Sequence, residues 1–196
     1  MRKIHVAIFA SGSGTNAEEF FKYFSSHNQI EISALYSNNT NAFALTRASN
    51  HQIPSVTFTR KEFYHSSSVI ELLKESSIDF IVLAGFMWLI PTDLVQAYPK
   101  RIINIHPALL PKFGGKGMYG NHVHKAAIEA DEVESGITIH YVNNRFDKGK
   151  IIFQKTVEIV KGESPESLAN KIHLLEYAHY PKVAEQTILD KGYLFD

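Results

Sequence analysis

The sequence predicts a single α/β domain with a mainly parallel sheet, helices on both faces, and an antiparallel hairpin plus a long helix at the C-terminal end. Over the first 130 residues, short β-rich runs alternate with helix-like segments, which is the pattern of a parallel sheet covered by helices. After residue 130, two longer strand-like runs follow one another across a polar connection, as in an antiparallel hairpin. The length of 196 residues suits one domain spanning 1–196.

The predicted elements follow one another regularly along the chain. Apolar runs predict strands at Ile4–Ala10, Glu31–Tyr36, Ser55–Phe58, Phe80–Leu83 and Ile102–Asn104, with the hairpin strands at Glu134–Val142 and Ile151–Val160. Helices are expected at Asn16–Phe24, Ala42–Ser49, Ser67–Glu75, Thr92–Tyr98 and Val123–Ala130.

The C-terminal helix is predicted from its start signals. Ser164 is a good N-cap residue, and Pro165 fits the first helical position. Pro181 is expected to kink or interrupt the helix near His179–Tyr180, because proline removes a helical hydrogen bond. The residues expected to face the core from this helix are Leu168, Ile172, Leu175 and Ala178.

Composition argues against several classes of protein. The 20 Lys plus Arg balance 20 Asp plus Glu, and a net charge of zero argues against nucleic-acid binding through the overall field. No apolar run reaches the length of about 18 residues that a membrane span needs, and no signal peptide is expected, since a strand pattern follows Met1 almost directly. The absence of cysteine excludes thiolate metal sites and cysteine nucleophiles, and it fits a cytoplasmic location.

A glycine-containing loop, Ser11–Asn16, joins the first strand to the first helix. Free N–H groups at a helix start bind anions, and Ser, Thr and Asn side chains add neutral donors. The spacing also satisfies a dinucleotide-binding pattern, but Ile32–Arg47 contains no Asp or Glu to hold a ribose, and the loop has no phosphate-binding Lys. The loop therefore favours a single phosphate monoester, with a plain strand-to-helix turn as the alternative.

Further polar and apolar groups follow other strands, where α/β sheets bind their ligands. The apolar run Leu83–Ile90 is either a buried strand continuing into the core or a wall for a flat aromatic ligand. Asn104 and His106 project to the same face if their strand continues to His106. Asp147 is a plain turn residue unless the hairpin connection folds back over His106.

Together, Asn104, His106 and Asp147 would suit acyl transfer to an amine. Attack on a formyl carbon forms a tetrahedral oxyanion, and one positioned donor contributes roughly 10²–10³ in rate. Asn104 supplies one donor in this hypothesis, and protonated His106 supplies another. Asp147 is expected to raise the pKa of His106 and keep it cationic until it gives or relays a proton.

Four blocks, in order, resemble the phosphoribosylglycinamide formyltransferase family: Ser11–Asn16, Ala84–Met87, Asn104–Pro111, and Asp147 with Gly149. The resemblance implies a Rossmann-like formyltransferase fold, with a phosphate-binding half at about 1–100 and a folate-binding and catalytic half at about 101–196. It implies formyl transfer from 10-formyltetrahydrofolate, as co-substrate, to 5'-phosphoribosylglycinamide in purine biosynthesis, without a metal. The partners implied are small molecules only, not nucleic acid or membrane, and the chain would be a monomer or homodimer.

The resemblance also assigns residues. It implies that Asn104, His106 and Asp147 are catalytic, and that the ribonucleotide substrate is bound by Gly14, Thr15, Asn16, His173 and Glu176. The residues implied for folate binding are Met87, Trp88, Leu89, Ile90, Asn104, Asn143, Asn144, Arg145, Phe146 and Asp147.

Several positions depart from the common bacterial pattern. Trp88 stands where Arg often does, Ala108 where Ser is common, and His173 where Gln is common. The glycine-rich loop at Lys112–Asn121 is longer than usual and is expected to act as a lid. Some members of the family have an Arg that contacts the folate tail, and this sequence has no clear counterpart of it. We expect Arg60 or Lys61 to take its place.

Other classes of protein were weighed against this interpretation. A zinc hydrolase using His122 and His124 with His106 and Asp147 is disfavoured, since two residues apart on a helix do not share a face. A methionyl-tRNA formyltransferase would need an extra RNA-binding domain, and a formyltetrahydrofolate hydrolase usually carries a regulatory domain, so the length favours neither. A non-enzymatic nucleotide-binding regulator remains an alternative.

Overall fold

The computed structural model describes residues 2–190, which form one seven-stranded sheet with helices on both faces. The strands are β1 Ile4–Phe9, β2 Ile30–Ser37, β3 Ser55–Thr57, β4 Phe80–Leu83, β5 Ile102–His106, β6 Glu134–Tyr141 and β7 Ile151–Glu158. The helices are α1 Thr15–Phe24, α2 Phe43–Asn50, α3 Arg60–Tyr64, α4 Ser68–Glu75, α5 Thr92–Ala97, α6 Asn121–Glu129 and α7 Pro165–Leu189.

The sheet has the strand order β3-β2-β1-β4-β5-β6-β7. Strands β1 to β5 pair in parallel, whereas β6 is antiparallel to β5 and β7 is antiparallel to β6. The predicted parallel sheet with an appended hairpin is therefore confirmed. Because the order reverses between β1 and β4, a crevice opens beyond their carboxyl ends, which is where open α/β sheets bind ligands.

Each face of the sheet carries its own apolar core. Alternation along β1 sends Val6 and Ile8 to the face covered by α1, α2, α6 and α7, and Ala7 and Phe9 to the face covered by α3, α4 and α5. The second core is rich in aromatic rings, and Phe9 stacks on Tyr36 with ring centroids 5.1 Å apart. Among the described helices, none combines the length and apolar character of a membrane span.

Helix α7 departs from the sequence prediction, because it runs unbroken through Pro181. Tyr180 explains the continuity: its buried hydroxyl donates to the carbonyls of Leu83 (2.9 Å) and Ile103 (3.3 Å), which holds the helix on the sheet beside the proline. Packing of this kind offsets the hydrogen bond that proline removes. The predicted interruption of the helix at Pro181 is therefore absent.

The buried stripe of α7 also differs from the predicted one. Leu168 and Ile172 are buried as expected, but Leu175 is only half-buried and Ala178 is exposed. A spacing of four residues continues the stripe instead, through Glu176 and Tyr180. A carboxylate therefore occupies a core-facing position.

Two further elements differ from their predicted bounds. Helix α3 was not predicted, although Thr59 and Glu62 form a capping box at its start, a pattern readable in sequence. Strand β5 extends two residues beyond the predicted Asn104, to His106. Because side chains alternate along a strand, this extension places Asn104 and His106 on the same face of β5.

Candidate active site

All of the predicted site residues except Asn144 line one cavity of about 580 Å³ at the carboxyl edge of the parallel strands. The loops after β1 and β4 and the end of β5 form its floor. The connection between β6 and β7, the loop before α6, and helix α7 complete the walls. The topological switch point thus coincides with the residues singled out from sequence.

The loop after β1 lines the cavity, and two of its carbonyls accept hydrogen bonds from residues of α2. The carbonyls of Gly12 and Ser13 accept hydrogen bonds from the Ala44 N–H (3.1 Å) and from Arg47 Nε (2.9 Å). Gly14 begins α1 with φ +73°, and a Cβ there would lie 2.5 Å from the Ala44 Cβ, so only glycine fits. No side chain caps α1, and its start remains available to an anion.

Strands β5 and β6 bring a second histidine to the polar group. Asn104 and His106 point to the cavity from alternate positions of β5, and His140 lies directly opposite Asn104 on β6. His140 Nδ1 donates to the Tyr141 carbonyl (2.8 Å), which leaves Nε2 to accept from Asn104 Nδ2 at 3.3 Å. Sequence reasoning missed His140, whose signal was an imidazole that follows Ile137 and Ile139 in β6.

Asp147 lies between the two imidazoles, since the hairpin connection folds back over β5. Its carboxylate oxygens are 3.6 Å from His106 Nδ1 and 3.6 Å from His140 Nε2. The Gly115 N–H donates to Asp147 Oδ2 at 2.9 Å. A single carboxylate is thereby placed to stabilise positive charge on either ring.

The electrostatics of His106 differ from the sequence expectation. Burial lowers the pKa of His106 and outweighs the opposing effects of Asp147 and of the Phe113 carbonyl, to which Nε2 donates at 2.8 Å. Burial would raise the pKa of Asp147, but His140, His106 and the Gly115 N–H together leave it below its ordinary value. The expectation that His106 is held cationic was wrong, because the ring is only 3% exposed.

The glycine-rich loop Lys112–Asn121 contacts the polar group directly. It supplies the Phe113 carbonyl to His106 and the Gly115 N–H to Asp147, and its residues Gly115–Gly120 line the cavity. These backbone contacts could not be read from sequence. A loop in this position is placed to control access to the cavity.

The run Met87–Ile90 forms an apolar wall of the cavity. The Met87 N–H donates to Ser11 Oγ (2.9 Å), which ties the wall to the loop after β1. Trp88 packs against Phe63 and Tyr64, and the Arg60 guanidinium lies 5.4 Å from the Trp88 ring centroid. The connection between β6 and β7 also lines the cavity, through Asn143, Arg145, Phe146 and Asp147. Asn144 is exposed and does not line it.

Helix α7 contributes two of the predicted residues from one helical face. His173 lines the cavity but is largely exposed, whereas Glu176 is only 6% exposed. Asn16 Nδ2 donates to Glu176 Oε2 at 2.8 Å and joins α1 to α7. Burial raises the pKa of Glu176 to about 7, against the lowering effect of this hydrogen bond.

Replacing Glu176 by glutamine should stabilise the fold more at alkaline than at acidic pH. Since the folded-state pKa of about 7 lies above the ordinary value of 4.5, the favourable effect of the protonated carboxyl is lost as the pH rises from 4.5 through 7. Glutamine cannot ionise and still accepts from Asn16. We expect the difference in free energy of unfolding, variant minus wild type, to be about 2 kcal/mol larger at pH 8 than at pH 5.

Urea denaturation at both pH values measures this difference. The matched control is Glu166→Gln, which alters an exposed carboxylate in the first turn of the same helix. An equal pH-dependent difference in both variants would contradict the assigned burial effect.

The zinc-site alternative finds no support in the geometry. His124 is buried beside the cavity, but His122 is exposed and contacts Tyr119. Within residues 2–190, no three His, Asp or Glu side chains are grouped so that they could hold a metal ion. The two histidines diverge, as positions two apart on a helix must.

The fold and the site together match a known class of protein. The chain belongs to the formyl transferase family, whose sequence model matches residues 4–184. Within that family it is similar to the phosphoribosylglycinamide formyltransferase of Bacillus subtilis, with 37% identity and 93% of both chains covered. The family inferred from the four sequence blocks is thus confirmed.

Other relatives agree. A chloroplastic phosphoribosylglycinamide formyltransferase of Arabidopsis thaliana is 38% identical over 93% of this chain, which spans 64% of that relative's length. The chain spans 61% of a second chloroplastic relative, from Vigna unguiculata. The crystal structure of the Bacillus halodurans phosphoribosylglycinamide formyltransferase superposes with a TM-score of 0.85 at 38% identity, covering 98% of this chain and 100% of that one.

Proposed function

We propose that this protein transfers the formyl group of 10-formyltetrahydrofolate to the amine of 5'-phosphoribosylglycinamide, forming formylglycinamide ribonucleotide and tetrahydrofolate in the de novo synthesis of IMP. The observation that carries the proposal is the shared cavity. It combines an uncapped helix start, an apolar wall, and the group formed by Asn104, His106 and Asp147. The relatives whose names specify this reaction support it.

The two substrates would occupy opposite parts of the cavity. The phosphate would bind at the start of α1, at Gly14, Thr15 and Asn16, and the rest of the ribonucleotide would extend past His173 and Glu176. The pterin of the folate would lie against Met87, Trp88, Leu89 and Ile90, opposite Asn143, Arg145 and Phe146. Asn144 would contribute backbone only, since its side chain is exposed.

The chemistry we propose is direct attack, without a covalent enzyme intermediate. The amine nitrogen forms a bond to the formyl carbon, and the carbonyl electrons move to oxygen, where the Asn104 amide donates a hydrogen bond to the oxyanion. When the tetrahedral intermediate collapses, the bond between carbon and the folate nitrogen breaks. The amine has lost one proton, and the folate nitrogen has gained one.

His106 would carry that proton. The ring starts neutral, since burial lowers its pKa, and Asp147 at 3.6 Å would stabilise the imidazolium that forms during the reaction. His140 would hold Asn104 in place through their 3.3 Å hydrogen bond. Asp147 would therefore act on charge that develops in the reaction instead of maintaining a resident cation.

The remaining assignments belong to the same proposal. The region up to about residue 100 supplies the phosphate-binding loop, and the region from about 101 supplies the catalytic group. The chain would act as a monomer or homodimer on small molecules in the cytoplasm, without a metal.

An assay of tetrahydrofolate release tests the proposal. Protein supplied with 10-formyltetrahydrofolate should release tetrahydrofolate only when 5'-phosphoribosylglycinamide is present, and the product should carry the formyl group on its amine. Release at the same rate without acceptor would contradict transfer and indicate hydrolysis. Binding of the ribonucleotide without any turnover would indicate a non-enzymatic regulator.

A further inference from the structure

His124 is a buried imidazole that no role described above uses. It lies in the second turn of α6, is only 2% exposed, and lines the cavity. Its Nδ1 is buried and has no hydrogen-bond partner among residues 2–190. Since buried polar atoms are nearly always hydrogen-bonded, this nitrogen requires an explanation.

Asn16, which lines the same cavity from another helix, carries a second unpartnered polar atom. Asn16 donates through Nδ2 to Glu176, but its Oδ1 is buried and has no partner within the described part of the chain. His124 is close enough to both His173 and His106 for their charges to affect it. Asn16, Glu176 and His124 thus form one polar stretch of the cavity lining, contributed by helices α1, α7 and α6.

The charges of this stretch indicate what it would bind. Burial, with smaller effects of His173 and His106, lowers the pKa of His124 to about 4, so the ring is neutral at pH 7 and offers one donor and one acceptor. Asn16 Oδ1 and the Glu176 carboxyl add acceptors. Neither His124 nor Glu176 offers a positive charge at pH 7, whereas a hydroxyl both donates and accepts and so matches these two groups.

We propose that His124 is a further substrate-binding residue, which hydrogen-bonds a sugar hydroxyl of the ribonucleotide. This inference rests on the proposed function for the identity of the ligand. In a phosphoribosyl compound, the hydroxyls lie between the phosphate and the amine. His124 lines the cavity that also holds the start of α1 and His106, and His106 is close enough to affect its charge. An unpaired buried acceptor on the protein would then discriminate against sugars that lack the hydroxyl.

The test measures binding of 5'-phosphoribosylglycinamide and its 2'-deoxy and 3'-deoxy analogues by titration calorimetry, with steady-state kinetics in parallel. His124→Phe keeps the ring and removes the hydrogen bonds, and His124→Asn restores polar atoms near the position of Nδ1. The matched control is His122→Phe, because His122 lies two residues away, is exposed, and does not line the cavity.

We expect His124→Phe to raise the Kd and KM for the ribonucleotide about tenfold, with the KM for the folate unchanged, and His124→Asn to recover part of the loss. In wild type, one deoxy analogue should bind about tenfold more weakly, and His124→Phe should abolish that difference. Thermal unfolding of each variant checks the fold. If His124→Phe does not fold, His124→Asn takes its place in the comparison with wild type.

The proposal would be overturned if His124→Phe bound the ribonucleotide as tightly as wild type does. It would also be overturned if each deoxy analogue lost the same affinity, relative to the ribonucleotide, in His124→Phe as in wild type. Either result would indicate that a water molecule satisfies Nδ1. Wild-type protein that binds the ribonucleotide but does not transfer the formyl group would refute the proposed function alone. Wild-type protein that does not bind the ribonucleotide would refute both.

Discussion

Asp147→Asn is expected to lower kcat by at least about a hundredfold while leaving folate affinity nearly unchanged. The carboxylate is 3.6 Å from His106 Nδ1 and 3.6 Å from His140 Nε2. Asparagine has nearly the same shape and still accepts from the Gly115 N–H, but it removes the negative charge that would stabilise an imidazolium. His106 would therefore take up the proton less readily and turnover would fall, whereas the apolar wall would still bind the folate.

Asp131→Asn is the matched control, because Asp131 is exposed and shares the left-handed backbone of Asp147, with φ +52° and +54° respectively. Both substitutions place asparagine, which tolerates this conformation, at the same kind of position. The only tryptophan, Trp88, lines the cavity, and we expect its fluorescence to report folate binding. Near-normal kcat in Asp147→Asn, or an equal loss in Asp131→Asn, would refute the role assigned to the carboxylate.

Gly149→Ala is expected to lower both kcat/KM and stability by displacing the connection that carries Asp147. A Cβ at this position would lie 1.5 Å from the Tyr141 carbonyl oxygen and 3.4 Å from His140 Nδ1. Since backbone atoms cannot rotate away, the connection must move, and with it the 2.8 Å hydrogen bond from His140 to Tyr141 is disturbed. We expect kcat/KM to fall about a hundredfold and the free energy of unfolding to fall by about 1–3 kcal/mol.

Lys148→Ala provides the control for this change, because Lys148 is the exposed neighbour in the same connection. Kinetics and urea denaturation of both variants separate the close contact from a general effect of altering the connection. If Gly149→Ala matched wild type in both measurements, the close approach of this glycine to β6 would be disproved.

Most elements of the fold could be predicted from sequence because their signals are local. Hydrophobic alternation and helix periodicity depend only on near neighbours, and they located every strand of the sheet to within two residues. The failures on α7 came from distant contacts. Pro181 lies within a continuous helix because the Tyr180 hydroxyl is held by β4 and β5, and no local pattern reports that contact.

The candidate site divides in the same way. The blocks around Gly14, Asn104 and Asp147 were visible in sequence, and the structure brings them into one cavity. His140 was missed because its importance arises only from being paired opposite Asn104 across two strands. The orphan Nδ1 of His124 was equally invisible, since it depends on what surrounds the ring.

The sequence by itself determined the α/β architecture, the positions of the polar blocks, and the family, because residue spacing encodes secondary structure and the order of motifs. Only the tertiary structure decided the protonation of the site. Burial lowers the pKa of His106 and raises the pKa of Glu176 to about 7, because it acts more strongly on these groups than their nearest partners do. Desolvation is a property of the assembled molecule, and no stretch of sequence contains it.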